Sequence, residues 1–510
     1  MNRLKDITDG FSVRDGLLAA GYALYLMFSF AAFHSATLLS PASVGHEAGV
    51  YFSSGAMVGR IVAGVIAATI VYGLLHAGRM PWARAVTWVL VGVCVAFALV
   101  GALLLAMTFQ FAPAVDEGLL LPWFVLAGAL LGCADLAAVL LWARFSSTLS
   151  LRTVYVYVTL CHGASLLLYG VFTLVSPVAV LPLAMLVFLV SAVCAKRALD
   201  VQAGEEDFGF EEASFRQLAT GLWPPVLGTA ILCFMGGIML QISGQQDIPL
   251  GEFQQTSLWA SAAAVVCLLV PALFVRKPLN LGRVYSVALP VSAAGFLLLP
   301  LIWNAAGGIV NAFAQVGAMV ASLILWCMMA DGARRTRTSP VLLFSLVFAV
   351  MNIASLAGTI IGFANASRIH QGDLALTTVA LVSVYLLLMA ALVLFRNREG
   401  MGRTPVSTEP DCDGEGAEGE TEKRAAAPSP EEVLAARCDA LAESFGLTPR
   451  EGDIFLLLAQ GHTLPIVSQR LFVSENTVKS HAKRIYQKLG IHSRAELIDL
   501  VNGSGDETSG

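Results

Sequence analysis

The chain has 510 residues, of which 57% are hydrophobic and 13% are charged, and its formal net charge is -5. Soluble domains carry about 25% charged residues, so this composition excludes a chain built only of soluble domains. The charged residues concentrate after about Arg396, which predicts lipid around the first four fifths of the chain and water around the rest. The nine cysteines are odd in number and lack CxxC spacing, which favours packing over a disulfide framework or a metal site.

Long apolar runs dominate the first part of the chain. A helix that spans a bilayer needs about 20 mostly apolar residues, and the first run is too long for the core of a signal peptide. The sequence predicts twelve spanning helices, at about 16–39, 51–75, 85–108, 119–142, 153–175, 178–195, 222–243, 256–275, 284–302, 308–330, 341–363 and 374–395.

The loop charges predict the orientation of these helices. Eighteen Lys and Arg residues flank one alternate set of loops, whereas the opposite set contains one, Arg368. Because basic residues accumulate on the cytoplasmic side, both termini are predicted to be cytoplasmic. This orientation requires an even number of spans and places a multi-pass protein in the cell inner (plasma) membrane.

The longest internal loop, Lys196 to Phe215, divides the bundle into two halves of six helices. A 6+6 arrangement with a cytoplasmic central loop resembles the major facilitator superfamily over residues 10–396. The resemblance implies two parallel repeats around a site near the membrane midplane. The superfamily's loop between helices two and three is represented only by Gly78 and Arg79, with no acid between them.

Two charged residues are predicted to lie inside the membrane. Arg60 is about 13 Å below the start of the second helix at Tyr51, and Asp135 is about 24 Å from the outer end of the fourth helix, at about 1.5 Å per residue. An ion pair between them must therefore bridge a mismatch of about 10 Å. Intramembrane charges are costly and rarely serve packing alone, so both are candidates for a ligand site.

Uncharged polar residues in the spans are further candidates for a polar cavity, with hydrogen bonding between helices as the alternative role. The ligand suggested by Arg60 is an anionic or hydrophobic small molecule. The candidates are His162, Gln241, Asn311, Gln315 and Asn352.

Residues 397–428 are rich in acids, Gly and Pro, and contain few long apolar side chains. Such a segment cannot bury enough surface to fold. We predict a flexible acidic linker with a root-mean-square span of about 30 Å. An interaction tail is the alternative.

Ordered structure is predicted to resume at 429–504, as a soluble domain of short helices. The helices are expected at 429–445, 449–460, 465–472, 475–489 and 494–502. The turn of about three residues between 472 and 475 predicts a helix-turn-helix. The stretch from Ser474 to Gly490 contains four basic residues and one acidic residue, Glu475. This excess of positive charge predicts that the helix in this stretch binds DNA.

This segment resembles the LuxR/NarL type of helix-turn-helix domain over about 60 residues, through LTPRE at 447–451, LA at 458–459, Gly461, RL at 470–471, VS at 473–474, TVK at 477–479, His481, Ile485, KL at 488–489 and SRAEL at 493–497. A departure is Pro465 and Ile466, where a Lys-Glu pair is usual.

The resemblance implies a role for each matching residue. The recognition helix would be 475–489 and the last helix would make the dimer contact. Base edges would be reached by Lys479, Ser480 and Lys483. Phosphate contact or ordering of the helix is implied for Thr477, His481, Arg484 and Lys488. Scaffold or activation roles are implied for Glu451 and Gly461, and Val478 anchors the helix.

The sequence therefore predicts an all-α fold, with a 12-helix membrane bundle followed by a LuxR-type domain. The four helices of that domain are the ones expected between 449 and 502. Enzyme motifs, cofactor sites and metal sites are not found. The expected function is a membrane-tethered one-component transcription regulator. Its expected partners are DNA, the lipid bilayer, an unknown small-molecule ligand, a second copy of the chain on DNA, and RNA polymerase. The alternatives are a facilitator-type transporter with an autoregulatory tail and a plain membrane anchor for DNA.

Overall fold

A computed structural model shows the chain as two compact units, Met1–Ser407 and Thr408–Gly510. The residues that the structure describes are helical almost throughout and contain no β-strand. They are 20–34, 38–39, 46–77, 83–111, 117–201, 212–243, 258–259, 261–269, 309–365, 382, 385, 389, 437–438, 441–442, 444–460, 467, 475–491, 496–497 and 500–501.

The first unit is a bundle of long apolar helices. Eight of the described helices are long and apolar enough to cross a membrane. The helices are α1 (Gly21–Ser29), α2 (His46–His76), α3 (Ala83–Phe111), α4 (Glu117–Ser146), α5 (Leu151–Phe172), α6 (Pro177–Val201), α7 (Glu212–Ser243), α8 (Ile309–Thr336) and α9 (Pro340–Asn365).

These nine helices correspond to nine of the predicted spans. Helix α1 is shorter than the first predicted span and continues as a π-helical turn, Phe30–His34. The predicted spans at 284–302 and 374–395 lie outside the described residues, apart from 382, 385 and 389, and only 258–259 and 261–269 of the span at 256–275 are described. The total of twelve spans therefore stays a prediction.

The prediction of a long central loop from Lys196 to Phe215 was wrong at both ends. Helix α6 continues to Val201 and α7 begins at Glu212. Ion pairs one turn apart are present at both ends, Lys196 with Asp200 at 2.6 Å and Arg216 with Glu212 at 2.9 Å. Pairs at this spacing support exposed helix ends by a few tenths of a kcal/mol, about 0.2–0.5. The prediction stopped where hydropathy fell, although the helical backbone continues into the polar region.

Helices α2 and α4 approach each other through glycine. A Cβ atom added at Gly55 or Gly59 would overlap the carbonyl groups of Val125 or Ala129 in α4. In return, Gly128 and Gly132 of α4 face the carbonyl groups of α2 just as closely. Small residues spaced four apart allow backbones to pack in lipid, where no hydrophobic force drives helices together.

Glycines also allow a close approach of two helices in the second half of the bundle. Gly237 of α7 faces the backbone of α9 at Ser355, and Gly358 of α9 faces the carbonyl of Phe234 in α7. The two halves also contact each other. The hydroxyl of Tyr155 in α5 donates to the carbonyl of Leu268 at 3.0 Å.

The second unit contains α10 (Pro449–Ala459) and α11 (Glu475–Leu489). Helix α11 has the predicted bounds, whereas α10 ends one residue early because Gln460 is its C-cap. Gly446 and Gly490 have positive φ angles of 61° and 69°. The bonds from Leu447 N to Ala442 O and from Ile491 N to Tyr486 O complete a Schellman helix ending at each glycine.

The core of this unit is formed by residues from both helices and from the short segments beside them. Only Val467 is described in the predicted scaffold helix 465–472. The buried residues are Cys438, Ile454, Phe455, Leu458, Val467, Val478, Ala482, Ile485, Leu489, Leu497 and Val501.

The glycine contact predicts how the bundle responds to one added methyl group. We expect Gly59→Ala to lower the free energy of unfolding by about 1–3 kcal/mol, because the methyl group overlaps the backbone of α4. Thermal unfolding of the detergent-solubilised chain measures the effect. Gly73→Ala is the matched control on α2, because among the described residues no atom beyond the adjacent backbone of α2 lies within 4 Å of a Cβ at Gly73. Equal melting temperatures for the two variants would contradict the close approach.

Candidate nucleic-acid interface and intramembrane charge pair

Helix α11 has one buried and one exposed face. Val478, Ala482, Ile485 and Leu489 point into the core. The residues expected to reach base edges, Lys479, Ser480 and Lys483, are exposed, and so are Thr477, Arg484 and Lys488 among the residues expected at phosphate. These four apolar side chains therefore hold α11 against the core. The opposite face of the helix is a basic surface, as the sequence predicted.

The predicted residue His481 differs from this pattern. It is half-buried, and its Nδ1 atom has no hydrogen-bond partner within the part of the chain that the structure describes. Because it lies beside the core and not on the exposed face, a role in ordering the helix fits its position better than a phosphate contact.

Lys488 ties the end of α11 to the beginning of α10. Its Nζ atom donates to Glu451 Oε2 and to the carbonyl of Gly446, both at 2.8 Å. The side chain of Glu451 is 5% exposed and that of Lys488 is 36% exposed. The sequence left phosphate contact and ordering of the helix as alternatives for Lys488, and this geometry corresponds to ordering.

Glu451 also closes a capping box at the start of α10. Its carboxylate accepts from the backbone N–H of Thr448 at 2.9 Å, and Thr448 Oγ1 accepts from the N–H of Glu451 at 3.4 Å. The sequence analysis included Thr448 in the family match at 447–451 but gave it no capping role, although the spacing T-x-x-E that marks a capping box is present at 448–451. Gly461, expected to serve the scaffold, lies outside the described residues.

These contacts shift the pKa of Glu451. The hydrogen bond from the Lys488 ammonium group, followed by the backbone N–H of Thr448, lowers the pKa of the Glu451 carboxyl from its ordinary value to about 2. The charged carboxylate is therefore the form that joins the two helices.

In the bundle, Arg60 and Asp135 form the ion pair that the sequence left open. Arg60 Nε lies 2.7 Å from Asp135 Oδ2, and the two side chains are 12% and 3% exposed. The expected mismatch of about 10 Å was too large because α2 begins at His46 and not at Tyr51. Measured from the ends of α2 and α4 at about 1.5 Å per residue, the depths are about 21 Å and about 27 Å, a difference that the long Arg side chain covers.

Two further side chains complete this site, and the sequence analysis missed both. The hydroxyl of Tyr25 in α1 donates to Asp135 Oδ1 at 3.0 Å. The Cζ atom of Arg60 lies 4.1 Å from the centre of the Phe33 ring, in the π-helical turn after α1. Both carboxylate oxygens are thus bonded. Tyr25 carried no signal of this role, because a tyrosine in an apolar helix usually packs in the core.

The other polar candidates are not brought to the charge pair. His162 Nδ1 lies 2.8 Å from the carbonyl of Val158, and Asn352 Nδ2 donates to the carbonyl of Phe348 at 2.8 Å, each four residues earlier on the same helix. Asn311 and Gln315 lie in α8 and Gln241 in α7, but these three side chains are outside the described residues.

The fold and the basic helix define a class of protein, a polytopic helical membrane bundle that carries a DNA-binding helix-turn-helix domain. Residues 446–501 match the family model GerE, described as bacterial regulatory proteins of the luxR family. The spore germination protein GerE of Bacillus subtilis is 40% identical over 52 residues, which are 10% of this chain and 70% of that protein. The chain belongs to the luxR family of bacterial regulatory proteins through this domain.

Longer relatives are matched over a smaller share of their length. The nitrate/nitrite response regulator protein NarL of Escherichia coli is 46% identical over 50 residues, which are 10% of this chain and 23% of NarL. An HTH-type transcriptional regulator of Mycobacterium tuberculosis is 43% identical over 53 residues, which are 10% of this chain and 6% of that protein. Each of these similarities covers about a tenth of this chain.

The membrane unit is similar to solved transporter structures. A bacterial homologue of the iron transporter ferroportin, in the outward-facing state, has a TM-score of 0.53 at 13% identity, covering 76% of this chain and 100% of that one. The human organic anion transporter MFSD10 has a TM-score of 0.51 at 13% identity, covering 74% and 98%. At this identity the similarity shows the fold alone, which is the major-facilitator-like fold that the sequence predicted.

The shifted pKa of Glu451 predicts how the second unit responds to acid. The carboxylate stabilises the domain fully above its ordinary pKa of about 4.3. This contribution is lost as the pH falls towards about 2, the pKa in the folded domain. We expect a loss of about 1–2 kcal/mol in the free energy of unfolding across this range, since Lys488 is partly exposed and solvent screens the pair.

Urea denaturation of fragment 408–510 at pH 6 and at lower pH values measures this loss. Lys488→Ala is expected to destabilise the fragment at pH 6 and to flatten the decline below about pH 4.3, because the pKa of Glu451 then moves back towards its ordinary value. An unchanged pH dependence in Lys488→Ala would show that the pair does not cause the shift.

Proposed function

We propose that the chain is a membrane-tethered one-component transcription regulator, in which the membrane bundle senses a signal and controls sequence-specific DNA binding by the luxR-family domain. One observation carries this proposal: a single chain contains both a DNA-binding domain with an exposed basic helix and a helical membrane bundle. A regulator of this kind needs no separate sensor protein.

The DNA-binding surface of one domain is small, so a homodimer on two half-sites about one helical turn apart would supply specificity. Lys479, Ser480 and Lys483 would contact base edges. Arg484 and Thr477 would contact phosphates, which position the protein without reading sequence. RNA polymerase is the expected partner in activation.

The charges at the helix ends support an inner-membrane location with the DNA-binding domain in the cytoplasm. Arg84 begins α3, Arg144 lies near the end of α4, Arg152 begins α5, Lys196 lies near the end of α6 and Arg334 near the end of α8. In a bundle whose helices alternate in direction, these ends share one side. Basic residues favour the cytoplasmic side.

The ligand site is proposed at Arg60. The guanidinium group uses Nε for Asp135, and within the described part of the chain no hydrogen bond occupies its two terminal nitrogens, which could therefore bind an anionic group on a small molecule. A ligand regulates only if it binds two states of the bundle with different affinity. A ligand that competes with Asp135 for Arg60 meets this condition because it changes a contact between α2 and α4.

Transport is the second function considered for the bundle, and regulation is better supported. The solved structures similar to the bundle are transporters by their titles, but identities of 13% transfer the fold and not the activity. The luxR-family domain, in contrast, is matched at 40% identity over most of a whole regulator-family member.

The exposed face of α11 yields a prediction about DNA binding. We expect Lys483→Ala to weaken binding to the operator by about 1–3 kcal/mol and to relax preference at one base position, because a base-edge contact is removed. Gln487→Ala is the matched control on the same exposed face. Gel-shift titrations on DNA fragments recovered by genome-wide mapping of the bound sites, and on scrambled DNA, measure both quantities. Equal losses on operator and scrambled DNA would assign Lys483 to phosphate.

The charge pair yields a prediction about sensing. We expect Arg60→Met to lower the stability of the bundle by about 3–5 kcal/mol, because Asp135 is left as a buried unpaired charge. The double variant Arg60→Met, Asp135→Leu should recover most of this loss, since apolar replacement of a buried pair is often neutral. A reporter gene beside a bound site should not respond to inducing conditions in the double variant. A normal response from a stable double variant would remove Arg60 from the ligand site.

A further inference from the structure

Trp326 in α8 joins the two halves of the membrane bundle. On the side of the first half, its Nε1 atom donates to Ser146 Oγ at 3.2 Å, and its ring centre lies 5.6 Å from that of Tyr22 in α1. On the side of the second half, its ring packs edge-on against Phe344 and Phe348 of α9, at 4.9 and 6.2 Å. The buried side chain of Trp326 therefore contacts both halves of the bundle.

The contacts of Trp326 continue to the intramembrane charge pair. Tyr22 and Tyr25 lie one turn apart on α1, with stacked rings whose centres are 5.9 Å apart. Tyr25 donates its hydroxyl hydrogen to Asp135, which pairs with Arg60. The chain of direct contacts thus runs from Arg60 through Asp135, Tyr25 and Tyr22 to Trp326.

The π-helical turn provides a second connection between Arg60 and α1. Phe33 in this turn lies under the guanidinium group of Arg60 at 4.1 Å, so Arg60 contacts the turn directly and reaches α1 through Asp135 and Tyr25. A π-helical turn has a backbone hydrogen-bond pattern different from that of the adjoining α-helix, and such turns are frequent at functional sites. Helix α1 therefore ends in a turn of a kind that is frequent at functional sites.

We propose that Tyr25 is the positioning residue that transmits the state of the Arg60–Asp135 pair to the joint between the halves at Trp326. The proposal rests on the sensing function proposed above and names its internal route. A ligand that draws Arg60 away changes the position of Asp135, and Tyr25 loses the acceptor of its hydroxyl group. Helix α1 then moves with Tyr25, the Tyr22 ring leaves Trp326, and the halves separate at this point.

Two physical reasons favour a change of α1 between two distinct arrangements over a gradual shift. A buried hydroxyl without an acceptor is unfavourable, so α1 cannot remain in place when Asp135 moves. The core around Tyr22 is densely packed, with Trp142 and Tyr157 at 5.4 and 5.7 Å. Packed cores change between distinct arrangements and do not deform continuously.

The native cysteines allow a test in the full chain without the introduction of new cysteines. Cys327 follows Trp326 in α8 and is 0% exposed. Cys233 in α7 is half-buried and lies outside the route from Arg60 to Trp326 described above, so its rate reports general loosening of the bundle. Cys267 is exposed and serves as a reference. The chain is placed in lipid nanodiscs and treated with N-ethylmaleimide, and the rate at each cysteine is followed by peptide mass spectrometry.

We expect the double variant Arg60→Met, Asp135→Leu, which takes away the acceptor of the Tyr25 hydroxyl, to raise the alkylation rate of Cys327 several-fold and to leave that of Cys233 unchanged. Tyr72→Phe, which removes a hydroxyl from an exposed side chain of α2, should change neither rate. Adding Tyr25→Phe to the double variant removes the hydroxyl that needs an acceptor, so the alkylation rate of Cys327 should return towards that of the wild type. Tyr25→Phe alone should leave this rate close to that of the wild type.

A wild-type rate at Cys327 in the folded double variant would overturn the proposal. So would equal increases at Cys327 and Cys233, which indicate general loosening, and an increase at Cys327 that persists when Tyr25→Phe is added. These outcomes are independent of DNA binding. If Cys327 responds as expected while the reporter gene ignores every inducing condition, the internal route stands and the proposed regulatory function fails.

Discussion

The close approach of α2 and α4 is the constraint on which the membrane unit depends. Lipid supplies no hydrophobic force between helices, so their association relies on van der Waals contact and polar bonds. Glycines at 55, 59, 128 and 132 let the two backbones meet. Arg60 directly follows one of these glycines, and Asp135 lies one turn after another. The same approach that packs the helices therefore brings the two charges to 2.7 Å.

The Arg60–Asp135 and Lys488–Glu451 ion pairs have different physical roles because their surroundings differ. Asp135 is nearly excluded from solvent, so losing Arg60 would leave a charge that the bundle cannot solvate. Lys488 is 36% exposed, so its pair with Glu451 contributes less energy but fixes the position of α11 relative to α10. The first pair thus constrains which arrangement of helices is stable, while the second orients a surface for DNA.

Local sequence patterns predicted the helices well. Contacts between residues that are distant in sequence could not be predicted from such patterns. The bounds of α11 followed from the serine before it at position 474, its apolar period and the glycine after it. The Arg60–Asp135 pair remained open because hydropathy located the start of α2 at Tyr51, five residues after His46, and so misjudged the depth of Arg60. Tyr25 could not be found, since its role depends on an acid 110 positions away. Hydropathy likewise shortened α6 and α7, because it measures contact with lipid and not helical structure.

The acidic segment 397–428 restricts how a change in the bundle can reach DNA. Its composition predicts a flexible coil, which cannot transmit a rotation or a push from the last membrane helix. We infer that the signal changes the availability of the DNA-binding domains to each other. Two domains tethered to bundles that associate have a high effective concentration, and the same domains on separated bundles do not. A change at Trp326 would then act on DNA binding by altering the tendency of two bundles to associate.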